Sequence, residues 1–335
     1  MRLLNKDNVL LEVKNLKTYI ETSAGLVKAV DDVSFNIKKG EIVGLVGESG
    51  CGKTMVALSI MRLLPEPHAK IIDGNIYFNG LDILKLSEDE MRSIRGNKIS
   101  IVFQDPLTAL NPIMTVGEQI VEAILSHQQL DKKEAWRRAI QLLRIVGIAD
   151  GNVIVNQYPF RLSGGMRQRV MIAIALACNP VLLIADEPTT NLDVSIQAQI
   201  LELIYNIRNT SGTSVLLITH NLGLVAWLCD KVYVMYAGKI VEEGPCENIF
   251  VNPSHPYTKL LLRSIPDVSF VREKLETIEG EVPNLIKVPK GCRFNPRCPH
   301  VRDCCKKVEP DLIEVSANHY ARCLMWDSTF NVEWR

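Results

Sequence analysis

The sequence predicts an α/β protein with a largely parallel sheet, and three observations predict it. Short apolar, β-branched runs alternate with longer segments of helical period. One run, Val181–Ala185, is apolar throughout, as in a strand covered on both faces. A glycine loop of defined spacing sits between a strand-like run and a helix-like one, as in open α/β sheets that bind ligands at their carboxyl edge.

In chain order, Val9–Ile20 and Lys28–Ile37 alternate and are rich in β-branched residues, so both read as strands. Glu41–Val46 is a short apolar run entering the glycine loop, and Thr54–Leu64 carries apolar residues at helical spacing. Lys98–Phe103 reads as a strand. Glu134–Val146 is amphipathic, with Ala135, Ala139, Leu142, Leu143 and Val146 on one face. Gln197–Arg208 follows as a helix, with Ser214–Thr219 and Lys231–Tyr236 as strands. After Ile265 the texture changes to prolines, basic residues and cysteines with little periodicity. A boundary is expected near Pro266, dividing residues 1–265 from an extension at 266–335.

Composition sets outer limits. The 335 residues suit one large domain and a smaller one, or two comparable ones, and the 47% apolar and 23% charged fractions argue against a disordered chain. No apolar run approaches the roughly 18 residues a membrane span requires, and Met1–Val9 has no signal-peptide core. The expectation is a chain neither integral to the membrane nor secreted by its own signal. With 38 basic and 38 acidic side chains the net charge is zero, so the simplest electrostatic case for nucleic-acid binding is absent.

Gly47, Glu48, Ser49, Gly50, Cys51, Gly52, Lys53 and Thr54 fit G-x-x-x-x-G-K-[ST] in the strand-to-helix context that this phosphate loop requires. Glycines let the backbone wrap an anion, and the helix N-terminus adds favourable partial charge. Lys53 would reach the outer phosphates and Thr54 would hold Mg²⁺. Cys51 reads as a tolerated small residue, with thiol reactivity as a by-product of nearby N–H groups. Val181–Glu187 ends a buried strand in two acids. They could be a solvated strand end; beside a phosphate loop, Asp186 suits Mg²⁺ and Glu187 suits a general base for water. Leu162–Arg169 opens a helix, with Ser163 as N-cap and Gly164 and Gly165 at its start, a second anion site.

Nine cysteines include five within Cys292–Cys323. A cytosolic setting disfavours a disulfide framework, so metal or cluster ligation leads for that group. The intervals of five, six and seventeen residues between Cys292, Cys298, Cys305 and Cys323 differ from zinc knuckles, and four thiolates suit either an Fe–S cluster or Zn²⁺. Unliganded thiols are the third possibility.

Taken together, Gly47–Thr54, Leu162–Gln168 and Val181–Glu187 resemble the Walker A, signature and Walker B motifs of the ATP-binding-cassette (ABC) ATPases, in the family's order. The resemblance implies an ABC-type nucleotide-binding domain: a P-loop parallel-sheet core, an antiparallel β subdomain and a helical subdomain at about residues 105–159. It implies ATP and Mg²⁺ as ligands, with Gln104 as the Q-loop glutamine on Mg²⁺ and water, and His220 as the switch histidine on the γ-phosphate. Asp193 falls in the D-loop (Asn191–Asp193). Ser163, Gly164, Gly165 and Gln168 complete the ATP site of a second ABC ATPase subunit, identical or homologous, paired head to tail. The family stacks adenine on an aromatic near the first strand; Tyr19 is the only one there, although the family's usual position falls nearer Ile20.

Three further stretches, Phe103–Pro112 (FQDPLTALNP), His255–Leu261 (HPYTKLL) and the late cysteines, resemble the oligopeptide/dipeptide permease ATPases over essentially the whole chain. That resemblance implies a peripheral subunit on the cytoplasmic face of the cell membrane, docked on two transmembrane permease subunits and served indirectly by an extracytoplasmic solute-binding protein. ATP hydrolysis would drive uptake of dipeptides or oligopeptides, with nickel or another small solute as the alternative cargo. No nucleic acid is expected. It also implies a 4Fe–4S cluster on Cys292, Cys298, Cys305 and Cys323, with Zn²⁺ second and Cys304 as a spare neighbour. The tail would then be independent of the nucleotide motifs. A soluble cassette ATPase acting on ribosomes or DNA is the competing class. Such relatives carry two cassettes or a long coiled-coil insertion, and neither occurs here. A regulator without turnover is disfavoured by the presence of Glu187 and His220.

Overall fold

Alternating β-branched residues build the first elements. In the computed structural model, which describes residues 8–190, 192–264 and 278–330, β1 (Val9–Thr22) and β2 (Gly25–Lys38) lead into β3 (Ile42–Val46) and α1 (Lys53–Met61). Then come β4 (Ala69–Phe78), β5 (Leu81–Asp82), α2 (Glu88–Ile94), β6 (Ile99–Val102), α3 (Pro106–Ala109), α4 (Val116–Leu125), α5 (Lys132–Ile145) and α6 (Gly151–Ile154). The chain continues through α7 (Gly164–Ala175), β7 (Leu182–Asp186), α8 (Val194–Ser211), β8 (Ser214–Thr219), α9 (Leu222–Leu228), β9 (Lys231–Tyr236) and β10 (Lys239–Pro245). It closes with α10 (Cys246–Val251), α11 (Pro256–Arg263), β11 (Ile313–Ser316) and β12 (His319–Ala321). The boundary expected near Pro266, and Asn191 of the D-loop, lie outside the described residues.

The chain forms two compact units. One is drawn from 1–37, 42–84 and 218–335, the other from 38–41 and 85–217. In the first, β2-β1-β4-β5 form an antiparallel sheet, with Leu11 opposite Phe78 and Val13 opposite Ile76. A second, mixed sheet places β11-β12-β10-β9-β3 in that order: β3 runs parallel to β9, while β10 and β12 pair antiparallel. All five residues of β3 are buried, which carries the chain through the core and delivers it to the glycine loop. α1 stops at Met61 rather than at the expected Leu64. Arg62 adopts a left-handed φ of 51° and its N–H returns to the Leu58 carbonyl, which closes the helix.

In the second unit, β6 pairs in parallel with β7, Ile99 opposite Leu182 and Val102 opposite Ala185. β7 is buried at every position, and each of Leu182, Leu183 and Ile184 contributes about 2 kcal/mol by leaving water. The 105–159 region is helical, α3 to α6. Thr115 and Glu118 form a capping box on α4, and the Asp131 side chain accepts the Glu134 N–H to start α5. Ala135, Ala139, Leu142 and Leu143 are the buried face of α5.

Candidate functional site

The phosphate loop belongs to the first unit. Two of its glycines are required by close approach. At Gly47 (φ +154°) a Cβ would lie 2.1 Å from the Met235 carbonyl oxygen, and at Gly52 (φ +109°) 2.0 Å from that of Ala29. The loop therefore lies flush against β9 and β2. Lys53 opens α1 with only 5% of its surface exposed, and its ammonium donates to the Gly47 and Glu48 carbonyls at 2.8 and 3.0 Å. Ser49, Gly50 and Thr54 are exposed along the same loop. Cys51 is fully buried, and burial raises its thiol pKa against the opposing pull of Lys53. Burial opposes the thiol reactivity expected of this cysteine, because desolvation outweighs the nearby donors.

Two groups outside the motif hold Glu48. Its N–H donates to Tyr257 Oη at 2.9 Å, and its carboxylate receives both terminal nitrogens of Arg297 at 2.8 and 3.0 Å. Sequence texture sets the tail apart from the nucleotide motifs; the structure puts Arg297 on the phosphate loop itself. Tyr19, half-buried on β1, donates its hydroxyl to Asp31 at 2.7 Å, and Lys28 Nζ stands 5.9 Å over its ring. Burial, then the Asp31 hydrogen bond, pushes this phenol up to about 12. Asp31 is also paired with Arg293; burial opposes its charge, but the Tyr19 and Arg293 hydrogen bonds hold it below the ordinary carboxylate range. His220 is exposed directly after β8, and Asn221 then caps α9.

The second unit carries the acids. Asp186 ends β7 and is 2% exposed. Glu187 follows at a left-handed φ of +47°, a conformation costing a non-glycine residue on the order of 1 kcal/mol and concentrated at functional sites. Its Oε2 accepts from Gln104 Nε2 at 3.1 Å and from Thr190 Oγ1 at 2.9 Å. Gln104 and Glu187 are thus brought together, as their separate motifs imply, while Thr190 was not singled out from sequence. Ser163 caps α7, its hydroxyl accepting the Met166 N–H at 3.3 Å, with Gly164 and Gly165 in the first turn. Gln168 is buried, and its Nε2 has no hydrogen-bond partner among the described residues. Asp193 is exposed before α8 and makes no side-chain cap. Thr54, Gln104 and Asp186 all offer oxygen, the donor chemistry a hard cation such as Mg²⁺ takes.

In the tail, Cys292, Cys298, Cys305 and Cys323 line one small cavity with His255, Phe294 and His300; Cys304 does not line it. Burial first, then the neighbouring sulfurs, push Cys292 and Cys323 up to about 12, against backbone N–H groups of Phe294 and Met325. Cys298 and Cys305 are raised too, again chiefly by burial. Four sulfurs on one cavity are a soft donor set. Among the described residues, however, no group of three or more His, Cys, Asp or Glu side chains stands ready to hold a metal ion. The tail also contains order its sequence texture hides: the β11–β12 hairpin, which extends the sheet through β10.

Comparison with known proteins agrees with these motifs. The model of the family described as "ABC transporter" matches residues 30–190, and that of "Oligopeptide/dipeptide transporter, C-terminal region" matches residues 241–305. The oligopeptide transport ATP-binding protein AppD of Bacillus subtilis (strain 168) is 50% identical over 320 residues, covering 96% of this chain and 98% of the relative. The dipeptide transport ATP-binding protein DppD of the same organism is 50% identical over 317 residues, covering 95% of each. Among solved structures, a dimeric post-hydrolysis state of the ATP-binding cassette MJ0796 bound to ADP and Pi aligns with a TM-score of 0.64 at 28% identity, over 71% of this chain and 99% of that one. With the phosphate loop, the capped signature helix and the acid-terminated strand all formed, the chain belongs to the ABC transporter ATPases, in the oligopeptide/dipeptide transport family.

Proposed function

We propose that this chain binds and hydrolyses MgATP as the energy-supplying subunit of a dipeptide or oligopeptide importer. The observation that carries the chemistry is Glu187, set at a positive φ at the end of a buried strand and oriented by Gln104 and Thr190. Two donors on one carboxylate oxygen fix the plane of the group, which a base needs to line up an attacking water. Lys53, anchored by two loop carbonyls, is assigned to the outer phosphates, and His220 to the γ-phosphate. Thr54, Gln104 and Asp186 would hold Mg²⁺, which when bound offsets charge on the phosphate oxygens. Ser163, Gly164 and Gly165 present a helix N-terminus to the phosphates of a second cassette, and Asp193 works across that interface. Tyr19 is assigned to adenine.

In this reading residues 1–265 are the cassette and 105–159 receive two transmembrane permease subunits at the cytoplasmic face of the membrane. No helix among the described residues is long and apolar enough to cross a membrane. Residues 266–335 carry a 4Fe–4S cluster on Cys292, Cys298, Cys305 and Cys323. Four sulfurs around one cavity support the cluster, because a soft, all-sulfur donor set is the ligation iron–sulfur clusters take. Protein isolated without oxygen should contain about four iron atoms per chain, and Cys304→Ser should retain them. Stoichiometric zinc without iron would replace the cluster by a zinc site. The transport reading is tested by purifying the membrane subunits that accompany the chain and reconstituting the assembly in vesicles. Peptide should accumulate only when ATP is hydrolysed; accumulation of nickel in place of peptide would reassign the cargo.

A further inference from the structure

Glu48 puts a carboxylate into a loop whose other features attract anions. Lys53 and the α1 N-terminus favour phosphate, so an uncompensated negative charge at Glu48 would oppose a polyphosphate. The compensation comes from 249 residues further along the chain. Arg297 grips Glu48 with both terminal nitrogens, a fork-on-fork pairing that fixes position as well as charge. The Arg297 side chain is 4% exposed, and its remaining donors are taken by Tyr236 Oη at 3.3 Å and by the Glu279 and Ile278 carbonyls at 2.9 and 3.3 Å. It is therefore a fixed group rather than a mobile surface arginine.

The packing beneath the pair ties the same stretch to the loop. Phe294 stands 5.1 Å from Tyr236 and 5.4 Å from Tyr257, and Tyr257 in turn accepts the Glu48 N–H. Arg293, one residue before Phe294, reaches Asp31, the acceptor of the Tyr19 hydroxyl. The segment between Cys292 and Cys298 thus touches the phosphate loop and the support of Tyr19 at once.

We propose that Arg297 is a positioning residue of the nucleotide site: by holding Glu48 in a bidentate pair it orders the phosphate loop and cancels a charge that would otherwise repel the nucleotide's phosphates. This deepens the MgATP reading above and rests on it. Because the effect is electrostatic, its size follows ligand charge. Arg297→Gln should weaken ATP binding about tenfold or more, the scale of a lost charge-assisted hydrogen bond, with a smaller loss for ADP and the smallest for AMP. Adding Glu48→Gln to Arg297→Gln should recover most of the ATP affinity, because it removes the repelling carboxylate. Arg297→Lys keeps the charge and loses the fork, so its ATP loss should be smaller than that of Arg297→Gln.

The test is equilibrium titration of the full-length wild type and these variants with ATP, ADP and AMP, each variant's fold being checked by thermal unfolding. A graded loss in the order ATP, ADP, AMP, with recovery in the double variant, supports the proposal. Unchanged ATP affinity in Arg297→Gln overturns it, and so do equal losses for all three nucleotides without recovery. Should Arg297→Gln fail to fold, Arg297→Lys decides: a partial ATP loss that exceeds the losses for ADP and AMP supports the proposal, and unchanged ATP affinity or an equal loss for all three nucleotides overturns it. If the wild type itself binds no ATP, the MgATP reading falls first and this inference with it; wild-type binding with no effect at Arg297 sinks this inference alone.

Discussion

Replacing Thr190 by valine removes one of two described hydrogen bonds to Glu187, while keeping the branched shape of the side chain. The lost bond is Thr190 Oγ1 to Glu187 Oε2 at 2.9 Å, leaving Gln104 Nε2 at 3.1 Å as the other donor described on that oxygen. Hydrogen bonds to charged groups contribute about 1.5–3 kcal/mol. Thr190 is only part-buried, so the lower end applies. If that energy serves to align the base in the transition state, kcat should fall about tenfold, since about 1.4 kcal/mol corresponds to a factor of ten. ATP affinity should barely change, because the role assigned to Glu187 is to meet water rather than to hold nucleotide. Steady-state ATPase measurements over a range of ATP concentrations separate the two effects. Thr190→Ser should keep most of the activity. An unchanged kcat in Thr190→Val, or a raised KM with kcat intact, would refute the orienting role.

Lys53→Ala should lower ATP affinity at least about tenfold, because it removes the buried cation anchored in the loop; wild-type affinity in a binding titration would contradict the assignment. Glu242 is fully buried and accepts from the Ser254 N–H, the His255 N–H at 3.0 Å and His319 Nε2 at 2.8 Å. Glu242→Gln sets an amide donor against one of these donors and should cost about 1–3 kcal/mol in urea unfolding; an unchanged midpoint would show that the cluster is not structural. His255 is pushed down to about 4, burial outweighing the opposing Glu242. The unfolded chain takes up this proton below about 6.5 while the folded one does not, so stability should decline as pH falls from about 6.5 towards 4, by about 3 kcal/mol. His255→Asn keeps a cap acceptor for the Tyr257 N–H and should flatten that decline; equal acid sensitivity in both proteins would rule His255 out as its source.

The strands most legible in the sequence are those buried over all or nearly all of their length. Ser214–Thr219 and Lys231–Tyr236 are found with the expected limits, because continuous apolar runs have no alternative face to present. Periodicity misled at α1. Leu63 and Leu64 continue the apolar pattern, yet the left-handed turn at Arg62 ends the helix before them. The β11–β12 hairpin escaped notice because strands of four and three residues are too short to show a period; the usable signal was Asn318, at φ +58° between them. In the site, the phosphate loop, Ser163 and Glu187 were legible because each is a contiguous motif tied to the end of an element. Thr190 was not, since a hydroxyl in a turn after the Walker B acids has no distinguishing pattern of its own. Arg297 is the furthest case: its partner Glu48 lies 249 positions away, and only the folded chain pairs them.

The central claim, that this chain is an ATP-hydrolysing cassette acting as one of a pair, is tested most directly by Glu187→Gln. An amide cannot accept the proton of water, yet it preserves the shape of the side chain. Size-exclusion chromatography with and without ATP, run beside an ATPase assay, reads binding and turnover together. The account predicts that the variant binds ATP, accumulates as an ATP-dependent dimer and has almost no turnover, while the wild type hydrolyses ATP. Equal turnover in the two proteins, or full-rate hydrolysis by a strictly monomeric preparation, would contradict it.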